Sequence, residues 1–171
     1  MHWVLKDIAA VSGVVVFAGS AALASVGQDL RPLGQAEYRF WGQPMYEARL
    51  LTPGAAELDW TRPLGLELEY ARSFDAGVLV WSSLVELRRL EGTRPDHDAF
   101  EAALSGCFAS VSAGDSYLAL ATSADDLGFF LNGDEVCAIS GDRWAERFLA
   151  IWLSEDSRDP ASARALLGAD R

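Results

Sequence analysis

Histidine, cysteine and lysine are all scarce in this chain, and each scarcity removes a class of chemistry. Only His2 and His97 occur in 171 residues, which argues against a metal centre built on imidazole. The two cysteines, Cys107 and Cys137, form neither a CxxC pair nor a Cys/His cluster, so no zinc site or disulfide scaffold is read. Their expected state is two buried free thiols, with a single Cys107–Cys137 bridge as the alternative. Lys6 is the one lysine beside thirteen arginines, a bias we attribute to a GC-rich genome. Positive charge is short overall: 14 basic against 25 acidic residues leave a net charge of −11. Phosphate backbones and anionic lipid surfaces both require a basic face, so nucleic acid and a lipid-riding domain are excluded as partners. Also missing are GxSxG, GxxxxGK[ST], GxGxxG and HExxH. No cofactor is expected.

What is present is apolar mass. Half the residues are hydrophobic and eighteen are aromatic, six of them Trp, enough to exclude wholesale disorder. The length suits one domain. From Ile8 to Ala24 the run IAAVSGVVVFAGSAALA carries no charge over seventeen residues. Lys6 precedes it, and Ala22-Leu23-Ala24 offers a small-x-small cleavage site before Ser25, the layout of a secretory signal peptide. Seventeen residues also reach the lower limit of a bilayer span, so residues 1–24 are read as a signal peptide or an uncleaved anchor, with a buried core helix as the remaining alternative. Residues 25–171 then form a single domain, periplasmic or secreted, and cleavage leaves the charge at −11 because one Lys and one Asp depart together.

Along that domain, residues 36–51 alternate as two strands broken at Gly42–Pro44, with Tyr38 and Phe40 on one side and Glu37, Arg39 and Trp41 on the other. Residues 64–71 set Leu64, Leu66 and Leu68 against Gly65, Glu67 and Glu69, which predicts one wet face. The period then lengthens. Residues 75–90 predict a helix with Val78, Trp81, Leu84, Val85 and Leu87 as its apolar stripe, ended by Gly92. A second helix starts at Pro95-Asp96 and runs through Phe100, Leu104 and Phe108. Strands follow at 117–121, 127–131 and 136–139, the last two joined by Asn132-Gly133. Asp142 is expected to cap a third helix bearing Trp144, Phe148, Ile151 and Trp152, and Asp159-Pro160 a short fourth that stops at Gly168. The order is α+β: an open-faced β-sandwich, a large antiparallel sheet covered on one face by a helical layer.

Titratable residues rarely fall where they could do chemistry. His97, at a helix start, reads as a solvated surface histidine, and Asp125-Asp126 and Asp134-Glu135 as polar loop tips. Arg39 and Trp41 are the more suggestive pair, since a guanidinium beside a large ring can hold a carboxylate or phenolate at an apolar cleft.

Taken in order, these segments resemble the chalcone isomerase-like family, in its bacterial exported branch. The resemblance is carried by Tyr38-Arg39-Phe40-Trp41-Gly42-Gln43-Pro44-Met45-Tyr46-Glu47-Ala48-Arg49-Leu50, by Leu66-Glu67-Leu68-Glu69-Tyr70 and Gly114-Asp115, by Gly128-Phe129-Phe130-Leu131-Asn132-Gly133, by Phe148-Leu149-Ala150-Ile151-Trp152-Leu153 and by Leu166-Leu167-Gly168. It covers about residues 30–168 and implies a ligand cleft between sheet and helices. Some members are isomerases that close a flavanone ring with an Arg and a Tyr–water network; others bind fatty acids. By the resemblance, the position of the enzymes' catalytic Tyr falls near Leu79, that of a strand hydroxyl at Trp41 and that of a helix Asn near Glu86, while the functional Arg falls at Arg31 or, alternatively, Arg39. Leu79 and Trp41 carry no hydroxyl to organise water around an enolate. The expectation is therefore a non-catalytic protein binding a small amphipathic or hydrophobic ligand such as a fatty acid, with Arg31, Arg39, Trp41, Leu79 and Glu86 as ligand-binding candidates. An isomerase (intramolecular lyase) on another substrate, using Tyr38, Tyr46 or Glu86 with one of those arginines, and an envelope interaction module without ligand are the alternatives.

Overall fold

Strand and helix patterns resolve into ten elements in the computed structural model, which describes residues 29–169. The apolar run at 8–24 and its cleavage point lie outside the described residues. In chain order the elements are β1 (Leu30–Phe40), β2 (Gln43–Pro53), β3 (Leu64–Tyr70), α1 (Ala76–Glu91), α2 (His97–Cys107), β4 (Ser116–Ala121), β5 (Asp126–Leu131), β6 (Asp134–Ser140), α3 (Trp144–Leu153) and α4 (Pro160–Leu166). The sheet keeps that order, β1-β2-β3-β4-β5-β6, and each neighbouring pair is antiparallel. Two-residue turns close the outer hairpins. Trp41-Gly42 and Asn132-Gly133 both take positive φ at each central residue, the twist that matches paired strands.

Alternation places one rung after another on the helix-facing side. Ala36 lies opposite Ala48, Ala48 opposite Leu68, and Leu68 opposite Tyr117; Leu50, Leu66, Ala119 and Phe129 form the next rung. These residues make one core with Leu84 and Leu87 of α1, Phe100 and Leu104 of α2, Phe148 and Leu149 of α3, and Leu166 of α4. Each such buried Leu or Phe stabilises the fold by about 1.5–3 kcal/mol relative to exposure. The sheet's other face holds a small apolar cluster of Leu30, Leu120 and Phe130 with Leu51 and Leu118 packed on it. Beside it, Arg49 of β2 donates to Glu47 at 2.9 Å, to Glu67 at 3.2 Å and to Glu69 at 2.8 Å. The wet side expected for residues 64–71 is this face.

Helix α4 docks closest of all. A Cβ on Gly34 of β1 would stand 2.1 Å from the Ala165 carbonyl oxygen, so only glycine admits the helix at that distance. Asp159 starts α4 as expected, accepting from the Ser162 amide at 3.1 Å with Pro160 at the first helical position.

Four sequence expectations are corrected. The cysteines are joined: α2 ends at Cys107 above edge strand β6, and Cys107 and Cys137 form a disulfide with their Cα atoms 5.5 Å apart. Strand–helix packing across 30 residues brings them together, which spacing alone does not reveal. His97 is buried, not solvated, with Nε2 2.7 Å from Glu91 Oε1 and Nδ1 accepting from the Arg94 amide. Asp142 does not cap α3. Arg143 holds that position in a left-handed conformation, and its amide donates to Asp125 of the β4–β5 loop at 2.8 Å, while Asp142 pairs with Arg94. Finally, the buried stripe of α1 is Leu79, Val80, Ser83, Leu84 and Leu87; Val78 and Trp81 are exposed. The packed face is turned about one residue from the pattern, and the Val78–Trp81 side borders a cavity instead.

Candidate functional site

Between the helical layer and the tyrosine-bearing end of the sheet lies a cavity of about 720 Å³. That volume falls within the range of small-molecule sites. Its deep wall is apolar: Leu66 and Leu68 of β3, Ala119 of β4, Phe129 of β5, Phe148 of α3 and Phe108 after α2. The rings are fixed against one another, with Phe129 edge-on to Phe108 at 5.1 Å and to Phe148 at 5.4 Å. At the opening, Phe40 of the β1–β2 hairpin and Val78 and Trp81 of α1 border the cavity while remaining largely exposed, Trp81 by 67%.

Polar groups are few and come from identifiable elements. Tyr38 of β1, Tyr46 of β2 and Tyr70 of β3 are consecutive cross-strand partners, so their rings form a ladder on the helix-facing side. Tyr38 and Tyr46 stack with centroids 4.9 Å apart, and Tyr46 meets Tyr70 edge-on at 5.9 Å. Trp152 of α3 donates through Nε1 to Tyr46 Oη at 3.0 Å. Tyr38 Oη is buried and makes no well-formed hydrogen bond among the described residues; the neighbouring Ser162 hydroxyl donates to Asp159 instead. Burial is the main reason all three phenols are harder to ionise than usual; Tyr46 is pushed up to about 12, and neighbouring Tyr46 and Asp159 raise Tyr38 further. Ser82 and Ser83, on the α1 wall, spend their hydroxyls on the Leu79 carbonyl.

Charged groups lie toward the rim, already paired. Glu86 of α1 accepts from Arg89 at 2.8 Å and from Arg158 Nε at 2.8 Å. Burial alone would raise its carboxyl, but the hydrogen bonds from Arg158 and Arg89 more than offset this and hold it below its ordinary range. Asp159 is likewise held low by the Ser162 hydroxyl and amide. The phenols are shifted up and these carboxyls down, so both sets move away from neutrality. None of the five is tuned toward proton transfer near pH 7.

Three of the five sequence candidates border the cavity: Arg39, Leu79 and Glu86. Arg39 reaches it because the β1–β2 register shifts between Tyr38 and Arg39, so Tyr38, Arg39 and Phe40 all face the opening instead of alternating. Its guanidinium donates to Glu37 at 3.0 Å and to the Gly42 carbonyl at 3.0 Å. Trp41 does not line the cavity. It sits in the hairpin turn, φ +52°, 88% exposed, beyond the strand whose phase was used to place it. Arg31 is also off the cavity, at the far end of β1 and about 23 Å of extended strand from Tyr38; it donates to its neighbour's carbonyl, Leu30. Tyr70, Phe129 and Phe148 were missed as a combined wall. Each was legible as strand or helix core, but only cross-strand register and helix placement show that one cavity joins them.

Comparison with known proteins places this geometry. No family model matches the chain, and no curated protein does. Among solved structures, the chain is similar to the crystal structure of the Arabidopsis thaliana fatty-acid binding protein AtFAP1, with a TM-score of 0.65 over 85% of this chain and 90% of that one at 13% identity. Six antiparallel strands in chain order beneath four helices, superposable on that protein over nearly its whole length, give this chain the chalcone isomerase-like fold.

Proposed function

We propose that this chain is an exported, non-catalytic binding protein that holds a small amphipathic molecule with a long apolar portion, a fatty acid or a compound like it, between sheet and helices. The observation that carries the reading is the 720 Å³ cavity with its aromatic and aliphatic wall. An apolar wall of that extent is stabilised by contact with an apolar ligand, which takes it out of water. The fatty-acid binding described for the structurally similar plant protein supports the same reading. So does the electrostatics, since the phenols and carboxyls bordering the cavity are displaced away from neutral pH. Export is supported by the sequence of residues 8–24 and by the Cys107–Cys137 disulfide, a bond that persists in oxidising compartments.

Native mass spectrometry of the purified protein, followed by organic extraction, tests the binding reading. A bound species that extracts with lipid solvents is expected; a consistently unliganded protein that also refuses added C10–C16 compounds would overturn it. Fractionation of cells expressing the full chain, with sequencing of the new N-terminus, tests export. A chain beginning at Ser25 outside the cytoplasm is expected, and retention of the whole chain in the cytoplasm would remove that part of the proposal.

A further inference from the structure

The tyrosine ladder and the paired rim charges narrow the class of molecule that this cavity takes. We propose that, within that class, the ligand's polar group is an uncharged oxygen acceptor, an ester, carbonyl or protonated carboxyl on a long apolar chain, held by the Tyr38 and Tyr46 hydroxyls of the ladder, and that an ionised carboxylate is disfavoured. This rests on the binding reading above.

Three observations converge on it. First, Tyr38 Oη is buried in the cavity wall and makes no well-formed hydrogen bond among the described residues, and the neighbouring Ser162 hydroxyl is spent on Asp159. A buried hydroxyl left unpaired is costly, and an acceptor on the ligand would satisfy it. Second, the neighbouring rung is a donor as well. Tyr46 Oη accepts from Trp152 at 3.0 Å, its own O–H bonds to none of the described residues and can donate, and its ring lies 4.9 Å from that of Tyr38. Burial keeps these phenols protonated across the physiological range, so the ladder presents O–H donors and no charge. Third, the guanidiniums at the rim are engaged. Arg39 is held by Glu37 and the Gly42 carbonyl, and Arg158 by Glu86. A carboxylate entering past them would give up water for guanidiniums that already hold a carboxylate, with ionised Asp159 on the cavity wall beside it. An ester or ketone oxygen avoids that repulsion and still takes the tyrosine hydrogen bonds.

Displacement of Nile red from the full-length protein at pH 8 tests this, using methyl decanoate, sodium decanoate and decane. The ester is expected to displace the dye at concentrations at least tenfold below those needed for decanoate, and about fivefold below decane. Tyr38→Phe keeps the stacked ring and removes only the hydroxyl; it should erase most of the ester's advantage over decane while decane itself competes as before. Tyr46→Phe, read the same way, guards against a misfolded Tyr38 variant. Decanoate equal to or better than the ester, or an ester advantage untouched in both variants, would overturn the head-group assignment alone. Failure of decane and ester alike to displace the dye would overturn the binding reading with it.

Discussion

Arg147 of α3 shows what a single side chain carries here. It is 9% exposed and donates to Glu91 at 2.8 and 2.7 Å and to Asp96 at 2.6 Å, so the end of α1 and the start of α2 are tied to one guanidinium. The same guanidinium lies 5.3 Å above the Phe100 ring. Arg147 first of all, with Trp144 assisting, holds the Asp96 carboxyl well below the usual carboxylate range. A carboxylate with a depressed folded-state pKa contributes stability above its unfolded value, near 4, and that contribution fades as pH falls below it. Arg147→Ala should therefore lower the unfolding free energy by about 3 kcal/mol at pH 7, because two shielded carboxylates lose their cation. In urea melts the gap to the unaltered protein should narrow on acidification from pH 5 to pH 3, as the carboxyls protonate; a gap independent of pH would refute this account of the network. His97 belongs to the same cluster: its partner Glu91 is shared with Arg147 of α3, fifty residues further along the chain, an arrangement that a histidine next to Pro95-Asp96 does not reveal.

Among the elements, the hairpins and helices were largely legible and their attachments were not. Asn132-Gly133 and Gly42 marked turns by local chemistry, and Asp159-Pro160 marked a helix start, because each acts within a few residues. The start of α3 is different: the amide of its N-cap residue, Arg143, is satisfied by Asp125 from another loop, so the nearby Asp142 was a false signal. The α2–β6 attachment is covalent, through Cys107 and Cys137, and closes a loop of 30 residues. Chain-entropy reasoning assigns such a crosslink about 3–4 kcal/mol. Paired replacement, Cys107→Ala with Cys137→Ala, should lower stability by about that amount and leave the far-ultraviolet dichroism of the folded state unchanged. Equal denaturation midpoints for the oxidised and Ala-substituted proteins would show that the sheet edge needs no such tie.

For the molecule as a whole, stability and binding are coupled through the cavity. A ligand that binds only the folded state adds about 2.7 kcal/mol at a hundred times its dissociation constant. Thermal melts should accordingly rise with the concentration of a C10–C16 ester. Ala119 lies on the deep wall beside Phe129, its register partner. Ala119→Phe should fill part of the space, abolish ligand uptake and remove the concentration-dependent shift, with the melting temperature of the unliganded protein unchanged or higher. A variant that still takes up ligand with undiminished shift would mean that the molecule is held elsewhere. Among the described residues no helix is long and apolar enough to cross a membrane.

Periodicity alone was sufficient for the α+β order and for an antiparallel sheet under a helical layer, since which residues of one short segment share a face tells strand from helix and wet side from dry. The resemblance in residues 30–168 pointed to a cleft and brought Arg39, Leu79 and Glu86 to its border. Only the folded chain decided the rest. A register shift after Tyr38 turned Arg39 toward the cavity opening, a two-residue turn carried Trp41 out into solvent, and the rotation of α1 left Val78 and Trp81 at that opening instead of in the core. Three tyrosines spread over 33 positions became one polar wall through strand pairing. Side-chain alternation is a local property of each strand, whereas a cavity is defined by what its several walls leave unfilled, and that depends on distances between segments that no single segment encodes.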